Sequence, residues 1–319
     1  MITAGIFNTF KTKKSMDLKN KSLVSISDYS LEEQIGILEL AAEFEKNPRQ
    51  KILEKHVVAT LFFEPSTRTR LSFESAATQL SAKVIGFSEA GTSSVSKGET
   101  LKDTILTVSN YSDIIVMRHP REGSARYAAE VAPVPVINAG DGAHQHPTQT
   151  LLDLYSILKT QGKLDKLNIA FVGDLKYGRT VHSLVEALCQ FDTTFHLVSP
   201  IDLKLPSYVK IHIKNKNLQY HQYTEMNEVI PKVDILYMTR IQKERFADPI
   251  EYERVKDAYI LRSPMLANAM DHMKVLHPLP RVNEIDEEVD KSKHAYYFQQ
   301  AQNGVFVRMA LLSSILGVV

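Results

Sequence analysis

Glu64-Pro65-Ser66-Thr67-Arg68-Thr69-Arg70 places three hydroxyls and two arginines in the five residues that follow a proline. The segment stands between an apolar run, HVVATLFFE, and a stretch of helical pattern, TRTRLSFESAATQL. A turn from strand into helix gathers unpaired backbone N–H groups and the positive end of the helix dipole at one point. A guanidinium there adds a fork of donors matched to phosphate. One Ser or Thr suffices as an N-cap. Ser66, Thr67, Arg68 and Thr69 together exceed that need, and they are read as an anion site.

The same chemistry recurs at other strand ends. DIIVM runs into Arg118-His119-Pro120, and a charge after so apolar a run must be paired or functional. VPVIN leads to Gly140-Asp141-Gly142-Ala143-His144-Gln145-His146-Pro147-Thr148-Gln149. Asp141, His144 and His146 invite a metal reading. Zinc needs further ligands at suitable spacing, however, and no other His, Cys or Glu cluster supplies them, so no metal is expected. His146 and Gln149 are read as neutral hydrogen-bonding groups at a helix start, placed to polarise a carbonyl.

Gly173-Asp174-Leu175-Lys176-Tyr177-Gly178-Arg179 lacks both the dinucleotide G-x-G-x-x-G spacing and the G-K-[ST] of a P-loop. No nucleotide cofactor is expected, and Arg179 is read as an arginine offered to a carboxylate at a helix start. Arg240-Ile241-Gln242 follows DILYMT, and Pro278-Leu279-Pro280-Arg281 follows KVLH. Lys97 sits alone in the Gly/Ser-rich loop SEAGTSSVSKGET, where most lysines are merely solvated. Ligands of open α/β sheets bind beyond the carboxyl ends of the strands. Arginines at several of these ends predict a cleft built for anions.

What must position these residues is an alternation of strands and helices. Ser30 caps a helix reaching about Lys46, with Glu33 completing a capping box. Strands are expected at HVVATLFFE, Lys83–Phe87, DIIVMR, VPVINA, NIAFVGD, TFHLVSP, DILYMT and KVLHPLP. Helices are expected at TRTRLSFESAATQL, LKDTILTVSNY, about Thr148–Thr160, RTVHSLVEAL and about Gly304–Leu316. Such alternation means parallel sheets covered on both faces, and 319 residues exceed a typical single core. The expected fold is α/β: two doubly wound domains, each a mostly parallel sheet with helices on both faces.

Lys+Arg and Asp+Glu number 38 and 37, so the basic surplus of a nucleic-acid binder is missing. The single cysteine, Cys189, allows no disulfide framework and is expected in the core. Residues 1 to about 20 are polar and basic, without a signal core, and LLSSILGVV is too short to span a bilayer. A cytoplasmic enzyme without membrane or nucleic-acid partners is expected.

Taken together, FFEPSTRTRLSFE, KGETLKDT, VMRHPREGSARYAAE, NAGDGAHQHPTQTLLDLY, VGDLKYGRTVHSL, LYMTRIQKER and VLHPLPRVNEI closely resemble the catalytic chains of the aspartate carbamoyltransferases. S-T-R-T and H-P-T-Q are shared across transcarbamoylases, whereas D-L-K-Y-G-R-T-V-H-S, M-T-R-I-Q-K-E-R and H-P-L-P-R look like the aspartate-specific members. A transcarbamoylase for ornithine is expected to carry cysteine in the H-x-L-P position, where this chain has Pro278.

The resemblance implies a carbamoyl phosphate-binding domain (1–147 plus 303–319) and an aspartate-binding domain (148–302). It implies phosphate held by Ser66, Thr67, Arg68 and Thr69 with help from Arg118. His146 and Gln149 address the carbamoyl end, and the Leu279 carbonyl, set by a cis bond before Pro280, orients its NH2. Ser93 and Lys97 arrive from a neighbouring subunit of a homotrimer, so that sites are shared between chains. Arg179, Arg240 and Gln242 hold the carboxylates of L-aspartate, and Lys97 touches both ligands. Arg68, Thr69, Lys97, Arg118 and His146 are the expected catalytic residues. The product is N-carbamoyl-L-aspartate, an early step of pyrimidine biosynthesis, with no cofactor. Catalytic chains of this family occur alone and in larger complexes, which allows regulatory chains as partners. Ser96 departs from the second lysine of some relatives. A transcarbamoylase with another amine acceptor and a catalytically dead scaffold are the rival readings.

Overall fold

The computed structural model describes residues 17–89, 91, 98–142, 144–241 and 248–319. The chain forms two compact units. One holds the residues up to Tyr155 together with Gln302–Val319, and the other holds Ser156–Ala301.

The first unit opens with α1 (Leu31–Lys46), whose start is the expected capping box. Ser30 Oγ accepts from Glu33 N at 3.2 Å, and Ser30 N donates to Glu33 Oε2 at 2.7 Å. Both donors are ones that a helix start otherwise leaves unpaired. β1 (Val57–Phe62), β2 (Lys83–Phe87), β3 (Ile114–His119) and β4 (Val136–Asp141) form a parallel sheet in the order β2-β1-β3-β4. The crossovers carry α2 (Thr67–Gln79), α3 (Leu101–Ser109) and α4 (Ser124–Val131). β1, β3 and β4 are buried along nearly all their length, which is why they read as unbroken apolar runs. Ala59, Leu61, Ile105, Ile115, Met117 and Ala128 join these strands to α3 and α4 in one core. At the edge strand, Gly86 passes so close to β1 that a Cβ would fall 2.0 Å from the Thr60 carbonyl oxygen.

α5 (Pro147–Gln161) and α9 (Tyr297–Ile315) contain the two points at which the units divide. The second unit is again α/β, with β5 (Leu167–Val172), β6 (Thr193–Val198), β7 (Tyr220–Tyr223), β8 (Ile235–Met238) and β9 (Lys274–Leu276) parallel in the order β7-β6-β5-β8-β9. α6 (Arg179–Leu188) follows β5, α7 (Ser207–Asn215) follows β6, and α8 (Pro249–Val255) follows β8. Ala170, Val172, Val198, Leu236, Met238 and Val275 anchor its core. The architecture is the expected pair of doubly wound α/β domains.

The differences from the sequence reading have physical causes. β7, Tyr-His-Gln-Tyr, is a half-exposed edge strand with no apolar run to announce it. α9 starts at Tyr297, ahead of the expected Gly304, because Gln300 and Asn303 are buried polar residues that interrupt its apolar pattern. Cys189 closes α6 and is 4% exposed, and burial pushes its thiol up to about 12.

Candidate active site

The residues read as an anion site lie at the carboxyl ends of β1, β3 and β4 in the first unit. Ser66 stands at the N-cap of α2, yet its side chain makes no capping hydrogen bond. No acidic residue occupies the first turn of that helix, so its positive end is not neutralised from within. Ser66, Thr67 and Arg68 are half-buried to exposed, while Thr69 is turned inward at 7% exposure. A plain cap would instead turn the Ser66 hydroxyl onto the helix, and it does not.

Register brings Arg118 to the same place. Phe62 of β1 pairs with Arg118 of β3, and Phe63 N donates to the Arg118 carbonyl at 2.8 Å. The guanidinium lies 2.7 Å from Glu64 Oε1 through Nη2 and donates to the Ala139 carbonyl through Nη1 at 3.3 Å. Its Nε is buried without a partner. Burial pulls the Arg118 pKa down, and the charge and hydrogen bond of Glu64 push it back up. Glu64 is a site residue that the sequence reading missed. It stands before a proline in a strand exit, and nothing local signals that it will face an arginine 54 positions on.

The turn from β4 into α5 is organised by a buried carboxylate. Asp141 is 1% exposed; its Oδ1 accepts from Asn138 Nδ2 at 2.9 Å and Gln145 N at 3.1 Å, and its Oδ2 accepts from Gly123 N at 3.0 Å. Asp141 thus holds the turn that presents His146 (5% exposed) and Gln149 (8% exposed). Gln149 Nε2 donates to Asp153 Oδ1 at 2.8 Å. Among the described residues no group of three or more His, Cys, Asp or Glu could hold a metal ion. Ser124 Oγ lies 2.9 Å from His119 Nδ1, but Arg121 N donates to that same nitrogen at 3.0 Å. The nitrogen serves the turn and is not a free base for a serine nucleophile.

In the second unit, adjacent parallel strands β5 and β8 bring Arg179 and Arg240 to one end of the sheet. Val172 pairs with Met238, and a Cβ on Gly173 would fall 2.3 Å from the Thr239 carbonyl oxygen. Only glycine lets the strands leave the sheet this closely. Asp174, fully buried, accepts from Lys176 N at 3.0 Å and Tyr177 N at 2.9 Å, turning the chain so that Arg179 opens α6. β9 lies beside β8 and delivers the His277–Arg281 turn at the same end. The Leu279–Pro280 bond is cis, and Leu279 has φ 53°, a left-handed conformation that a leucine adopts only when held.

What holds it is a pair the sequence reading did not single out. Leu279 N donates to His277 Nδ1 at 2.7 Å, which leaves Nε2 to carry the ring proton towards Glu284 Oε1, also 2.7 Å away. Glu284 Oε2 accepts from Val282 N at 2.9 Å and Asn283 N at 3.1 Å. Arg281, by contrast, is engaged by Asp290 and the Tyr297 hydroxyl. Ser93, Lys97 and Gln242 lie outside the described residues.

Two family models match this chain. One, described as aspartate/ornithine carbamoyltransferase, carbamoyl-P binding domain, matches residues 21–159. The other, described as aspartate/ornithine carbamoyltransferase, Asp/Orn binding domain, matches residues 165–315. The aspartate carbamoyltransferase catalytic subunit of Bacteroides fragilis is 62% identical over 302 residues, covering 94% of this chain and 98% of its own length. The catalytic subunit of M. jannaschii aspartate transcarbamoylase superposes with a TM-score of 0.87 at 49% identity, over 93% of this chain and 98% of that one. Aspartate transcarbamoylase from Trypanosoma cruzi in complex with carbamoyl phosphate and aspartate superposes with a TM-score of 0.89 at 39% identity, over 94% and 98%.

Proposed function

This chain belongs to the aspartate/ornithine carbamoyltransferase family, and we infer from that premise that it transfers the carbamoyl group of carbamoyl phosphate to the α-amine of L-aspartate, giving N-carbamoyl-L-aspartate and phosphate. It is an aspartate carbamoyltransferase. The observation that carries the reading is a match along almost the whole chain to aspartate carbamoyltransferase catalytic subunits. Each unit also offers a seat for an anion: an uncapped helix start at Ser66–Thr69, and two arginines, Arg179 and Arg240, at one sheet end.

The residues support the following chemistry. Phosphate rests on Ser66, Thr67, Arg68 and Thr69, with Arg118 exchanging Glu64 for it. His146 and Gln149 meet the carbamoyl end, and the Leu279 carbonyl before Pro280 addresses its NH2. Arg179, Arg240 and Gln242 take the carboxylates of aspartate. The neutral α-amine attacks the carbamoyl carbon, the new C–N bond forms, and the C–O bond to phosphate breaks. The leaving phosphate accepts the amine proton, so no protein base is needed. Thr69, Arg118 and His146 supply donors to the oxyanion, and positioning provides most of the rate.

The working assembly is a homotrimer in which Ser93 and Lys97 serve a neighbouring chain's site. Exposed Leu71, Ile85, Leu106 and Tyr111 in the first unit supply apolar surface for such packing. The word subunit in the relatives' names supports an assembly, with regulatory chains as partners in its larger form. Among the described residues no helix is long and apolar enough to cross a membrane, in keeping with a cytoplasmic role in pyrimidine biosynthesis.

The test is to supply carbamoyl phosphate with aspartate, ornithine or N-acylated ornithine and to measure the carbamoylated product of each. N-Carbamoyl-L-aspartate is the expected product. Turnover with an ornithine derivative alone would overturn the assignment.

A further inference from the structure

A buried cation and carboxylate stand behind the candidate site without touching its surface. Asp153 is fully buried on α5 and accepts from Gln149 Nε2 one helical turn before it, at 2.8 Å. A carboxylate can only accept, so Gln149 must turn its NH2 towards Asp153. Its Oε1 is then the end left to meet a ligand, and that oxygen is an acceptor.

Arg308 of α9 supplies the opposing charge. It is 3% exposed, and burial pulls its pKa down to about 10 against the upward influence of Asp153. Its Nη1 donates to Ser72 Oγ at 3.0 Å, and its guanidinium lies 4.9 Å over the Phe73 ring. Both residues are on α2, one turn beyond Arg68 and Thr69. Gly304 leaves room for this, because a Cβ there would fall 2.2 Å from Arg308 Nη1. An arginine withdrawn from water this completely is retained only when its charge and donors are used. Here Nη1 is used on the helix that carries Ser66–Thr69 and the charge faces the carboxylate that fixes Gln149, while Nε is buried without a partner.

We propose that Asp153, with Arg308 as its buried counter-charge, is a positioning residue for the carbamoyl end of carbamoyl phosphate, because it fixes Gln149 with Oε1 as the acceptor for the carbamoyl NH2. The inference rests on the reading of Gln149 as the group that meets that end. Asp153 sets which atom of the amide faces the ligand, and it thereby separates a carbamoyl-bearing phosphate from bare phosphate, which offers no NH2.

The test compares the wild type, Asp153→Asn and Gln149→Ala with two ligands: inorganic phosphate, and phosphonoacetamide, a stable analogue that keeps the amide. The amide introduced by Asp153→Asn can face either end of Gln149, so the orientation is lost without a change in shape. Asp153→Asn should bind phosphonoacetamide about tenfold more weakly, the loss of one good hydrogen bond, while phosphate affinity stays within about twofold. Gln149→Ala should show the same pattern. If Gln149→Ala leaves both affinities unchanged, the reading of Gln149 fails and the inference with it. If Gln149→Ala loses selectivity and Asp153→Asn keeps it, or if Asp153→Asn weakens both ligands alike, the positioning role of Asp153 is overturned. The double variant Arg308→Met/Asp153→Asn removes both buried charges. It should be more stable than Arg308→Met alone and still lack selectivity; selectivity returning with stability would mean that the pair serves only the fold.

Discussion

Arg118 Nη2 lies 2.7 Å from Glu64 Oε1, so the arginine assigned to phosphate is already paired with a carboxylate. That pair is half-buried, at 14% and 29% side-chain exposure, and it competes with any anion seated on the start of α2. Glu64→Gln should therefore bind inorganic phosphate more tightly, by about fivefold, which corresponds to about 1 kcal/mol for one charge-assisted contact. It should also unfold more readily than the wild type when no anion is present, since Arg118 is left without its counter-charge. Titration calorimetry with phosphate checks the first point. Unchanged or weaker binding would show that Arg118 does not leave Glu64 for the ligand.

Arg68 occupies the second position of α2, where the positive end of the helix dipole favours an anion. Arg68→Ala should lower carbamoyl phosphate affinity by about a hundredfold, the loss of one or two hydrogen bonds to a charged group. The far-ultraviolet circular dichroism should not change, because the residue is exposed and outside the core. Affinity equal to that of the wild type would remove Arg68 from the anion site.

His196 of β6 gives a prediction about acid stability that is independent of the chemistry. It is 5% exposed, with Nδ1 3.3 Å from the Tyr223 hydroxyl and Nε2 3.3 Å from Asn168 Oδ1. Burial, joined by the charges of His221 and Lys232, pulls its pKa down to about 4. As pH falls, the unfolded chain with an ordinary histidine pKa of about 6.5 takes up a proton before the folded one does. Stability is therefore full above about pH 6.5 and falls by on the order of 2 to 3 kcal/mol as pH drops to about 4. His196→Gln cannot titrate, so its unfolding free energy should fall less across that window. Denaturant unfolding at pH 7, 5.5 and 4.5 measures the difference, and parallel losses in both proteins would refute the role of His196.

How much could be read without coordinates depended on whether partners are local. The capping box of Ser30 and Glu33, three residues apart, was legible because both halves fall within one turn. The strand ends carrying Arg118, Arg179 and Arg240 were legible because parallel strands buried on both faces are unbroken apolar runs. Glu64, His277 with Glu284, and Arg308 with Asp153 were not. Glu64 meets Arg118 only through the register of β1 and β3, and Arg308 lies on the last helix, 155 positions after Asp153. Gln149 and Asp153 are a helical i, i+4 pair, so their contact is legible from spacing alone, although only Gln149 stands near a strand end.

The sharing of sites between chains is the prediction that reaches furthest beyond one chain. If Lys97 serves a neighbour's site, Arg68→Ala and Lys97→Ala subunits are each inactive alone but complementary when mixed. In a trimer reassembled from equal amounts, a site is intact when its own chain carries Arg68 and the contributing neighbour carries Lys97. Random assembly then makes about a quarter of the sites intact, and activity should return to about a quarter of the wild-type value. Dissociation and reassembly in mixed and unmixed samples, followed by assay of N-carbamoyl-L-aspartate, measures this directly. Activity no higher in the mixture than in either variant alone would mean that each chain completes its own site, and Lys97 would lose its place in the mechanism.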